Sequence, residues 1–598
     1  MGWLNGWKYR KKITIQGQSG AGTDYQVLLK VGESSGASGC DFHVEGHSAN
    51  FPNANDDFDD NSLDSSLWST RIYGEATIQE QDGKVKTSLS GTAGTNYVLL
   101  NSKFCLMGDF DIQIDFLNLS LPDISLTFIR GFNVFVNNKN FAYLERRYDG
   151  SHRYYGAIQV EGNETYGAVN ANDTSGKFRA KRTDSTLTFY YWDGSSWQQI
   201  HQRTDFPKGL VVIQTCEIYT NNGATASVFW DNFTINSGTI VKAISGDLRF
   251  TKSDGTTLLN FWVEKVEGTS PNRVAYCWVK VADNLDNNVD IYCYYGNSNA
   301  DDVSDGDGTF IFFDDFYQFD NTKWDGFYDI YNSGQDASYD IVANCKLRLK
   351  CNCNDNNAFI SDVQLPDKCV LYSPYTLTSE DNTITNRQVG FVLCYNKQTT
   401  PNDKYYFVRF NDSIDKFEFK KMIGGTNATL IADADVGQKL NGFMEIVFQT
   451  SEIKAKLYDV NQSLLTTLTS TDTEYMNDRN FGFFVAYDTG SMAYFSYIYM
   501  RKYNPTEPSF SSAENEQCLK ISGQVTLNGN PVENATVIII STEDKSYVND
   551  TTTDVNGNYS FTGFSDINKK YHLMVEYEDN DGQKYNALSK WAITPVIT

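Results

Sequence analysis

The amino-acid sequence predicts an all-β protein built as a chain of several β-sandwiches. Aromatic residues make up 14% of the chain, and they recur with Val, Ile and Thr in short runs, which is typical of strands. Asn, Asp and Gly separate these runs and supply turns, and no long segment of the sequence carries the 3.6-residue apolar period of a helix. With 598 residues, the chain has the length of roughly four domains.

The charge balance argues against one class of partner. The chain carries 50 basic and 75 acidic residues, which gives a formal net charge of −25. An acidic surface repels the phosphate backbone, so we expect no nucleic-acid binding. The acidic residues are dispersed along the chain, and solubility is their general role. No run of about 18 apolar residues could cross a bilayer, so we also expect no membrane insertion.

The N-terminus and the cysteines favour assembly in a reducing cytosol. The opening MGWLNGWKYRKKITI has no apolar segment of the kind that a signal peptide needs. Eleven cysteines form an odd set, and the cluster of Cys345, Cys351 and Cys353 has no second Cys or His pair to complete a zinc site. We predict unpaired thiols, which suit a reducing compartment.

Two separated segments predict one discontinuous sandwich. In VDIYCYYG (289–296), apolar and more polar positions alternate as in a strand with one buried face. Its partners are expected to be KKITI (11–15) and YQVLLKV (25–31). The set W-x-YRKKITI, DLRFTKSDGTTLL, CWVKV and IYCYYGN resembles a domain family of unknown function found in archaeal and bacterial surface proteins and in tailed viruses. Members of that family usually read continuously from the first motif to the second, so the intervening residues are predicted to be an inserted domain.

The inserted segment and a later one share the landmarks of an internal repeat. Each opens with an acidic phrase followed by Trp, in FDDNSLDSSLW (58–68) and FFDDFYQFDNTKW (312–324). Each also contains a Tyr-rich strand that ends in Arg and a polar turn. The first opening phrase, FDIQIDF (110–116) and TFYYWDGSSW (188–197) resemble the concanavalin-like jelly-roll superfamily. That superfamily includes laminin-G-like modules, lectins and laminarinase-type glycosidases.

The C-terminal segment resembles a third family. ISGQVTLNGNPVENATVIIIS, TTTDVNGNYSFTGF and YHLMVEYED are similar to the carboxypeptidase regulatory-like domain, a transthyretin-like sandwich, which implies a stalk or spacer. Two prolines in NPTEPSF (504–510) predict a linker before it. The predicted organisation is a discontinuous sandwich at 1–50 and 240–311, an inserted jelly roll at 51–239, a second jelly roll at 312–503, a linker at 504–516 and a terminal sandwich at 517–598.

The sequence offers no catalytic residues. A retaining glycosidase needs two carboxyl groups about 5 Å apart across the sugar, and laminarinase-type enzymes carry them as E-x-D-x-E or E-x-D-x-x-E, which does not occur. Glu145 has no second Glu after it, and Glu161 and Glu164 would face opposite sides of a strand. No nucleophile elbow or phosphate-binding loop occurs either. We predict that the protein is not an enzyme.

Aromatic side chains are the candidate sugar-binding residues. The apolar face of a pyranose suits stacking on Trp and Tyr rings, and jelly-roll lectins commonly hold sugars in this way. Trp192 and Trp197 flank the DGSS turn, and Tyr154 and Tyr155 lie in SHRYYG. The alternative for all four is packing in the core or at its rim, the commoner place for such rings.

Two acidic loops are candidate calcium sites, because Ca²⁺ prefers carboxylate oxygens. The resemblance to concanavalin-like jelly rolls, where calcium often lies near the rim, implies the same ion. The alternative is that these aspartates simply face water, since DDFDD is not an EF-hand loop. The candidate ligands are Asp56, Asp57, Asp59, Asp60, Asp314 and Asp315.

The resemblances imply a virion structural or adhesion protein of a tailed virus, such as a tail fibre, baseplate component or capsid-attached spike, that binds host surface glycans. Its expected partners are other virion proteins, further copies of itself and a host cell-surface polysaccharide. We expect it in the virion after synthesis in the host cytoplasm. The alternative is a secreted or cell-surface carbohydrate-binding protein of an archaeon or bacterium, and a third hypothesis is a polysaccharide-degrading enzyme with an unrecognised site.

Overall fold

The computed structural model confirms the all-β fold class, with the strands distributed over several separate sheets. Within the described residues, the helical elements are a 3₁₀ turn at Ile244–Asp247 and the one-turn helix α1 at Gly306–Thr309, and no helix there is long and apolar enough to cross a membrane. The structure describes residues 2–45, 54–64, 67–137, 140–160, 163–207, 211–242, 244–268, 272–297, 300, 303–316, 320–329, 337–342, 346–351, 356–379, 386–396, 404–423, 427–486, 490–579 and 581–598.

The chain begins with part of a small sandwich and then enters a large one. The small sandwich opens with β1 (Tyr9–Gln16), β2 (Tyr25–Gly32) and β3 (Phe42–His43). The large sandwich comprises β4 (Trp68–Tyr73), β5 (Ala76–Gln81), β6 (Lys84–Ser90), β7 (Asn96–Ser120), β8 (Thr127–Asn137), β9 (Asn140–Tyr148), β10 (His152–Val160), β11 (Asn163–Asn170), β12 (Gly176–Thr183), β13 (Thr186–Trp192), β14 (Trp197–Arg203), β15 (Val211–Thr220) and β16 (Thr225–Lys242).

The small sandwich resumes after β16. Its remaining strands are β17 (Arg249–Lys252), β18 (Leu258–Leu259), β19 (Phe261–Glu267), β20 (Val274–Val281) and β21 (Val289–Tyr295). β1 pairs antiparallel with β21, and β2 pairs antiparallel with β20. Apolar side chains from both halves, such as Ile13 and Cys277, share one core, so strands that lie far apart in sequence form a single unit.

A second large sandwich follows α1. Its strands are β22 (Phe312–Asp314), β23 (Trp324–Asp329), β24 (Ala337–Val342), β25 (Lys346–Cys351), β26 (Asn356–Gln364), β27 (Lys368–Ser379), β28 (Gln388–Tyr395), β29 (Tyr405–Asn411), β30 (Lys416–Ile423), β31 (Asn427–Asp435), β32 (Asn441–Gln449), β33 (Glu452–Tyr458), β34 (Leu464–Ser470), β35 (Asn480–Ala486), β36 (Ser491–Phe495) and β37 (Ile498–Arg501).

The two large sandwiches share one strand order. The first has a layer in the order β4-β7-β15-β8-β9-β10-β11, and the second has β23-β26-β35-β28-β29-β30-β31. The opposite layers run β5-β6-β16-β7-β12-β13-β14 and β24-β25-β36-β27-β32-β33-β34. β7 is long enough to take part in both layers of the first sandwich. This correspondence is what an internal duplication predicts.

The last strands join the terminal sandwich to the beginning of the chain. They are β38 (Ser509–Ala513), β39 (Gln517–Gln524), β40 (Thr526–Leu527), β41 (Asn530–Pro531), β42 (Thr536–Ser541), β43 (Tyr547–Thr552), β44 (Asn558–Phe564), β45 (Tyr571–Glu578), β46 (Lys584–Ile593) and β47 (Val596–Ile597). Trp3, Tyr292 and Tyr294 pack into the core of this sandwich.

The linker predicted at 504–516 is wrong. Residues 509–513 form β38, which pairs antiparallel with β1, and β39 continues along the same strand through Tyr9↔Cys518. Before it, Asn504 is buried, and Arg501 donates to the Glu507 carboxylate at 2.7 Å. The polar composition suggested a flexible spacer, whereas β1 has an edge that these residues cover.

An aromatic cluster joins the small sandwich to the second large one. Trp278 of β20 and Tyr499 of β37 pack against Phe310 and Phe313. The Glu264 carboxylate accepts hydrogen bonds from the Trp278 indole at 2.9 Å and from the Tyr497 hydroxyl at 2.8 Å. Burial raises the pKa of Glu264. This acid is therefore held by one donor from each of the two units.

Candidate functional site

One layer of the first large sandwich has two chemically different faces. In β8 and β9, Ile129 and Leu144 point into the sandwich core. Because successive side chains of a strand alternate between faces, their neighbours Arg130 and Glu145 lie on the opposite side. We call this side of β4, β7, β15, β8, β9, β10 and β11 the outer face.

An aromatic row crosses four strands of the outer face. It consists of Tyr73, Tyr97, Tyr219 and Phe128, which are direct register partners on β4, β7, β15 and β8. Successive ring centroids are 5.5, 6.1 and 4.7 Å apart, with interplanar angles between 11° and 24°. Each ring therefore covers part of its neighbour's face, and the row turns ring edges away from the sheet.

An ionic row lies beside it. Arg130 donates to the Glu217 carboxylate at 2.9 Å and to the Glu145 carboxylate at 3.0 Å. All three side chains are at most 8% exposed, and burial raises the pKa of Glu217. The Arg130 guanidinium also lies 4.7 Å from the Phe128 ring and 4.6 Å from the Tyr143 ring. Arg130 therefore contacts both the aromatic row, through Phe128, and β9, through Tyr143 and Glu145.

A third row consists of amides. Asn133 donates to Gln214 at 2.8 Å, and Gln214 donates to Asn101 at 2.9 Å. These residues are register partners on β8, β15 and β7, and Tyr143 of β9 continues the row. Amide groups are both donors and acceptors, so this row suits ligands rich in hydroxyl groups.

Stacked tyrosines extend across the outer face from β9 to its edge at β11. The Tyr143 and Tyr155 rings lie 6.1 Å apart, and the Tyr155 and Tyr166 rings 5.1 Å apart. Tyr166 is 64% exposed. The Tyr143 hydroxyl donates to the Glu164 carboxylate at 3.3 Å, and burial raises the pKa of that carboxyl. An exposed aromatic ring beside a carboxylate is an arrangement that can stack on a sugar and bond its hydroxyls.

Tyr154 is corrected from a sugar-binding candidate to a core residue, whereas the role predicted for Tyr155 stays a prediction. Tyr154 is fully buried and stacks on Tyr191 at 4.5 Å in the sandwich core. Tyr155 lies on the outer face but is also buried, since Tyr143 and Tyr166 flank it and the Arg147 guanidinium lies 3.3 Å from its ring centroid. Adjacent strand residues face opposite ways, so SHRYYG could supply only one outward ring.

Trp192 and Trp197 lie on the opposite layer. They are half-buried register partners across the β13–β14 hairpin, with ring centroids 5.4 Å apart. The Arg179 guanidinium lies 5.3 Å from the Trp197 ring and pairs with Asp111. The predicted aromatic pair therefore exists as a unit, on a different layer from Tyr166. Its sugar-binding role stays a prediction.

The first acidic loop uses one of its predicted calcium ligands to fix the backbone. Asp56 accepts hydrogen bonds from the backbone of Phe58 at 2.9 Å and from the indole of Trp68 at 2.8 Å. Phe58 has a φ of 55°, which is unusual for a bulky residue. Both Asp56 oxygens thus hold this turn against Trp68. Asp57, Asp59 and Asp60 are exposed.

The second loop repeats the arrangement. Asp314 accepts from the backbone of Phe316 at 2.7 Å and from the indole of Trp324 at 2.6 Å, and Phe316 has a φ of 52°. Asp314 is buried, which raises its pKa to about 6, whereas Asp315 is exposed. The equivalent phrases are therefore DDF at 56–58 and DDF at 314–316, not the FDD phrases aligned from the sequence. Asp56 and Asp314 are corrected to structural acceptors.

Other candidate ligands can be placed only in part. In the described portion of the chain, no group of three or more His, Cys, Asp or Glu side chains is arranged around a metal-sized space. Each cysteine that the structure describes is a thiol without a disulfide. Cys345, Cys353 and Glu161 lie outside the described residues.

The second large sandwich has a different outer face. Phe484, Gly390 and Arg409 are register partners on β35, β28 and β29, the strands that correspond in order to β15, β8 and β9 of the first sandwich. The surrounding side chains form a buried apolar cluster that includes Tyr405 and Phe407. On the same face, Arg409 donates to Glu418 at 2.8 Å and Asn411 donates to Glu418 at 3.2 Å, so the second copy has an ionic group of its own, placed beside an apolar cluster that the first copy lacks.

Sequence reasoning missed the outer face because its rows combine residues from seven strands. Each row depends on register, which a single sequence does not reveal. A local signal was present in YLERRY (143–148), where Tyr143, Glu145 and Arg147 alternate with Leu144 and Arg146. That period of two indicates a strand whose outer side is aromatic and charged.

Comparison with known families gives matches to domains of unknown function. The C domain of a protein family of unknown function (DUF1583) matches residues 45–249. A domain of unknown function (DUF2341) matches residues 245–327, and another (DUF6795) matches residues 521–578. No curated protein matches the chain. The carboxypeptidase regulatory-like resemblance stays a prediction.

Solved structures similar to one portion of the chain include carbohydrate-binding and glucanase folds. Carbohydrate binding module CBM66 from Bacillus subtilis is 12% identical with a TM-score of 0.23, and the match covers 30% of this chain and 96% of that chain. A β-glucanase from Bacillus licheniformis is 12% identical with a TM-score of 0.25, covering 32% and 98%. Arcelin-5, a lectin-like defence protein from Phaseolus vulgaris, is 10% identical with a TM-score of 0.23, covering 30% and 96%.

Proposed function

We propose that the protein is a glycan-binding structural or adhesion protein, and that the outer face of the first large sandwich is its binding surface. The observation that carries the proposal is the side-by-side arrangement of the aromatic, ionic and amide rows, the last of which continues through the stacked tyrosines to the exposed ring of Tyr166. Strands in a sheet are about 4.8 Å apart. A linear glycan laid across them would meet a new polar or aromatic group at nearly every sugar.

The parts of the surface have different roles in this proposal. Tyr166 has one face stacked on Tyr155 and offers the other to a pyranose. Glu164 and the amides of Asn101 and Gln214 bond sugar hydroxyls. The Arg130 ion pairs hold the floor of the surface rigid, because their groups are already paired with each other.

Substitution of Tyr166 tests the proposal. We expect the full chain to bind members of an array of microbial surface polysaccharides, and Tyr166→Ala to weaken that binding about 3- to 10-fold through the lost stacking surface. Tyr547→Ala is the matched control, because Tyr547 is 61% exposed on the terminal sandwich. It should leave binding unchanged.

Two results would contradict the proposal. Binding that is insensitive to Tyr166→Ala but is lost in Trp192→Ala or Trp197→Ala would move the site to the β13–β14 hairpin. No binding to any polysaccharide would leave a purely structural role, with the aromatic rows serving sheet stability.

Within this function, we propose a place in the particle of a tailed virus, as a tail fibre, baseplate component or capsid-attached spike. The match of residues 245–327 to DUF2341 is compatible with the family that the sequence resembles. Mass spectrometry of purified particles would detect the chain if this is right. Detection only on the cells that make it would favour the alternative, a cell-surface or secreted protein.

We propose binding without hydrolysis. Glu145 and Glu217 are buried carboxylates of the outer face that are both paired with Arg130, and so they are poorly placed to exchange protons with a substrate. A reducing-sugar assay on each bound polysaccharide should stay at the blank level. Release of reducing ends that is lost in Glu145→Gln would overturn this part of the proposal.

A further inference from the structure

Three arginines of the outer face are already paired with carboxylates. Arg147 lies 3.3 Å from the Glu145 carboxylate and 3.0 Å from that of Asp149, and Arg153 lies 2.6 Å from Asp149. Arg130 is held by its own two carboxylates. An acidic sugar would have to break one of these pairs to gain a cation, and a carboxylate left behind in a buried place is costly. The outer face therefore disfavours anionic glycans.

Glu164 of β11 differs from these acids. Both of its carboxylate oxygens lie 3.3 Å from the Tyr143 hydroxyl, which has a single hydrogen to donate. Within the described residues, Glu164 forms no ion pair with Lys, Arg or His. It is accessible to solvent, yet partial burial and then the Glu145 carboxylate raise its pKa, while the Arg147 and Arg130 guanidinium groups act in the opposite direction. A positive group beside this carboxylate would therefore stabilise it.

The exposed ring of Tyr166 lies on the same strand. Glu164 and Tyr166 are two positions apart in β11, so both side chains project from the outer face, with their Cα atoms about 7 Å apart. Tyr155 covers one face of the Tyr166 ring, and the residue is 64% exposed. A pyranose stacked on the other face would bring its substituents within reach of the Glu164 carboxylate. An aromatic ring beside a carboxylate is a combination that binds ammonium groups.

We propose that the β11 end of the outer face binds a glycan that carries protonated amino sugars, an inference that rests on the proposed glycan-binding function. The ammonium group of the sugar pairs with Glu164 while the sugar ring stacks on Tyr166. The net charge of −25 adds a general attraction for a cationic polymer. N-acetylation of the amino group removes its charge, and with it the ion pair, but leaves the stacking surface.

Calorimetric titration of the full chain with two oligomers tests the proposal. One is an oligomer of glucosamine, and the other is an N-acetylglucosamine oligomer of the same length and linkage. At pH 6.5 and low salt, we expect the glucosamine oligomer to bind about fivefold more tightly, and added NaCl to weaken only that oligomer. Glu164→Gln should abolish the preference and leave binding of the N-acetylated oligomer unchanged. Glu533→Gln, which removes an exposed acid of the terminal sandwich, is the matched control and should keep the preference.

The outcomes separate this proposal from the one on which it rests. Equal affinity for the two oligomers, with Tyr166→Ala weakening both, would overturn the amino-sugar class and leave the glycan-binding surface in place. An equal loss in Glu164→Gln and Glu533→Gln would also overturn it, because the preference would then come from the charge of the whole chain. If neither oligomer binds, the amino-sugar class is overturned, and the polysaccharide array with Tyr166→Ala decides the proposed function separately.

Discussion

Removal of Arg130 should destabilise the first large sandwich in a pH-dependent way. Arg130→Met leaves Glu145 and Glu217, which are 2% and 5% exposed as side chains, without their shared cation. Breaking a buried ion pair from one side typically costs about 3 to 5 kcal/mol, because the remaining charge stays buried. For a domain of 150 to 250 residues, each kcal/mol lowers the melting temperature by about 2 to 4 °C. We therefore expect one calorimetric transition to fall by roughly 6 to 20 °C at pH 7.

The pH dependence separates an electrostatic loss from a packing loss. Burial already raises the pKa of Glu217, and removal of Arg130 raises it further. A carboxyl with a raised pKa stabilises the fold while it is protonated, and this contribution is lost as the pH rises through the folded-state pKa. The deficit of Arg130→Met should therefore be small near pH 4 and large at pH 7.

Two comparisons complete the calorimetry. The triple variant Arg130→Met, Glu145→Leu, Glu217→Leu removes all three charges and should recover most of the lost stability. Arg409→Met removes the partner of Glu418 in the second large sandwich and should move a different transition. The reasoning would be refuted if Arg130→Met lowered the free energy of unfolding by under about 1 kcal/mol, or by the same amount at pH 4 and pH 7.

Three other substitutions have defined outcomes. A Cβ on Gly390 would lie 1.8 Å from the Val408 carbonyl oxygen, so Gly390→Ala should lower the free energy of unfolding of the second large sandwich by about 1 to 3 kcal/mol, measured by calorimetry. Burial raises the pKa of Asp314 from 3.8 to about 6. The free energy of unfolding of the wild type should therefore fall by on the order of 2 to 3 kcal/mol between pH 4 and pH 7, because the buried carboxyl must ionise. Asp314→Asn should not show this fall, and melting temperatures at the two pH values measure the difference. Glu264→Leu removes the acceptor shared by donors from two units and should speed amide hydrogen exchange in β37.

Each of these expectations has a control or an outcome that would contradict it. Gly437→Ala places a Cβ in open space at a positive φ, so it should cost only the backbone strain, about 1 kcal/mol. If Gly390→Ala costs no more than that, close packing of β28 on β29 is not what requires glycine. A pH profile of Asp314→Asn parallel to the wild type would assign the titration to another group. Unchanged exchange in Glu264→Leu would mean that the aromatic cluster alone holds the two units together.

Much of the fold follows from local patterns, whereas the site depends on long-range register. Alternation in VDIYCYYG predicts the strand that became β21, and the recurring acidic phrase and Trp predict two related sandwiches. Which aspartates of the two acidic phrases are equivalent could not be predicted from the sequence. Asp56 and Asp314 are distinguished from neighbouring aspartates only by their hydrogen bonds to indoles. The polar segment before β39 lacked an apolar pattern, and its strand exists because β1 offers it an edge.

The pairing of β1 with β38 and β39 has a consequence for the order of folding. Arg10 of β1 donates to Gln517 of β39 at 2.8 Å, across 507 positions of the chain. During synthesis, β1 therefore emerges long before the strands that cover its edge. The two large sandwiches are sequence-continuous and can close as soon as they leave the ribosome, while the edge of β1 stays uncovered until β38 and β39 have been made. Truncations near residue 509 should therefore expose β1 to pairing with other chains.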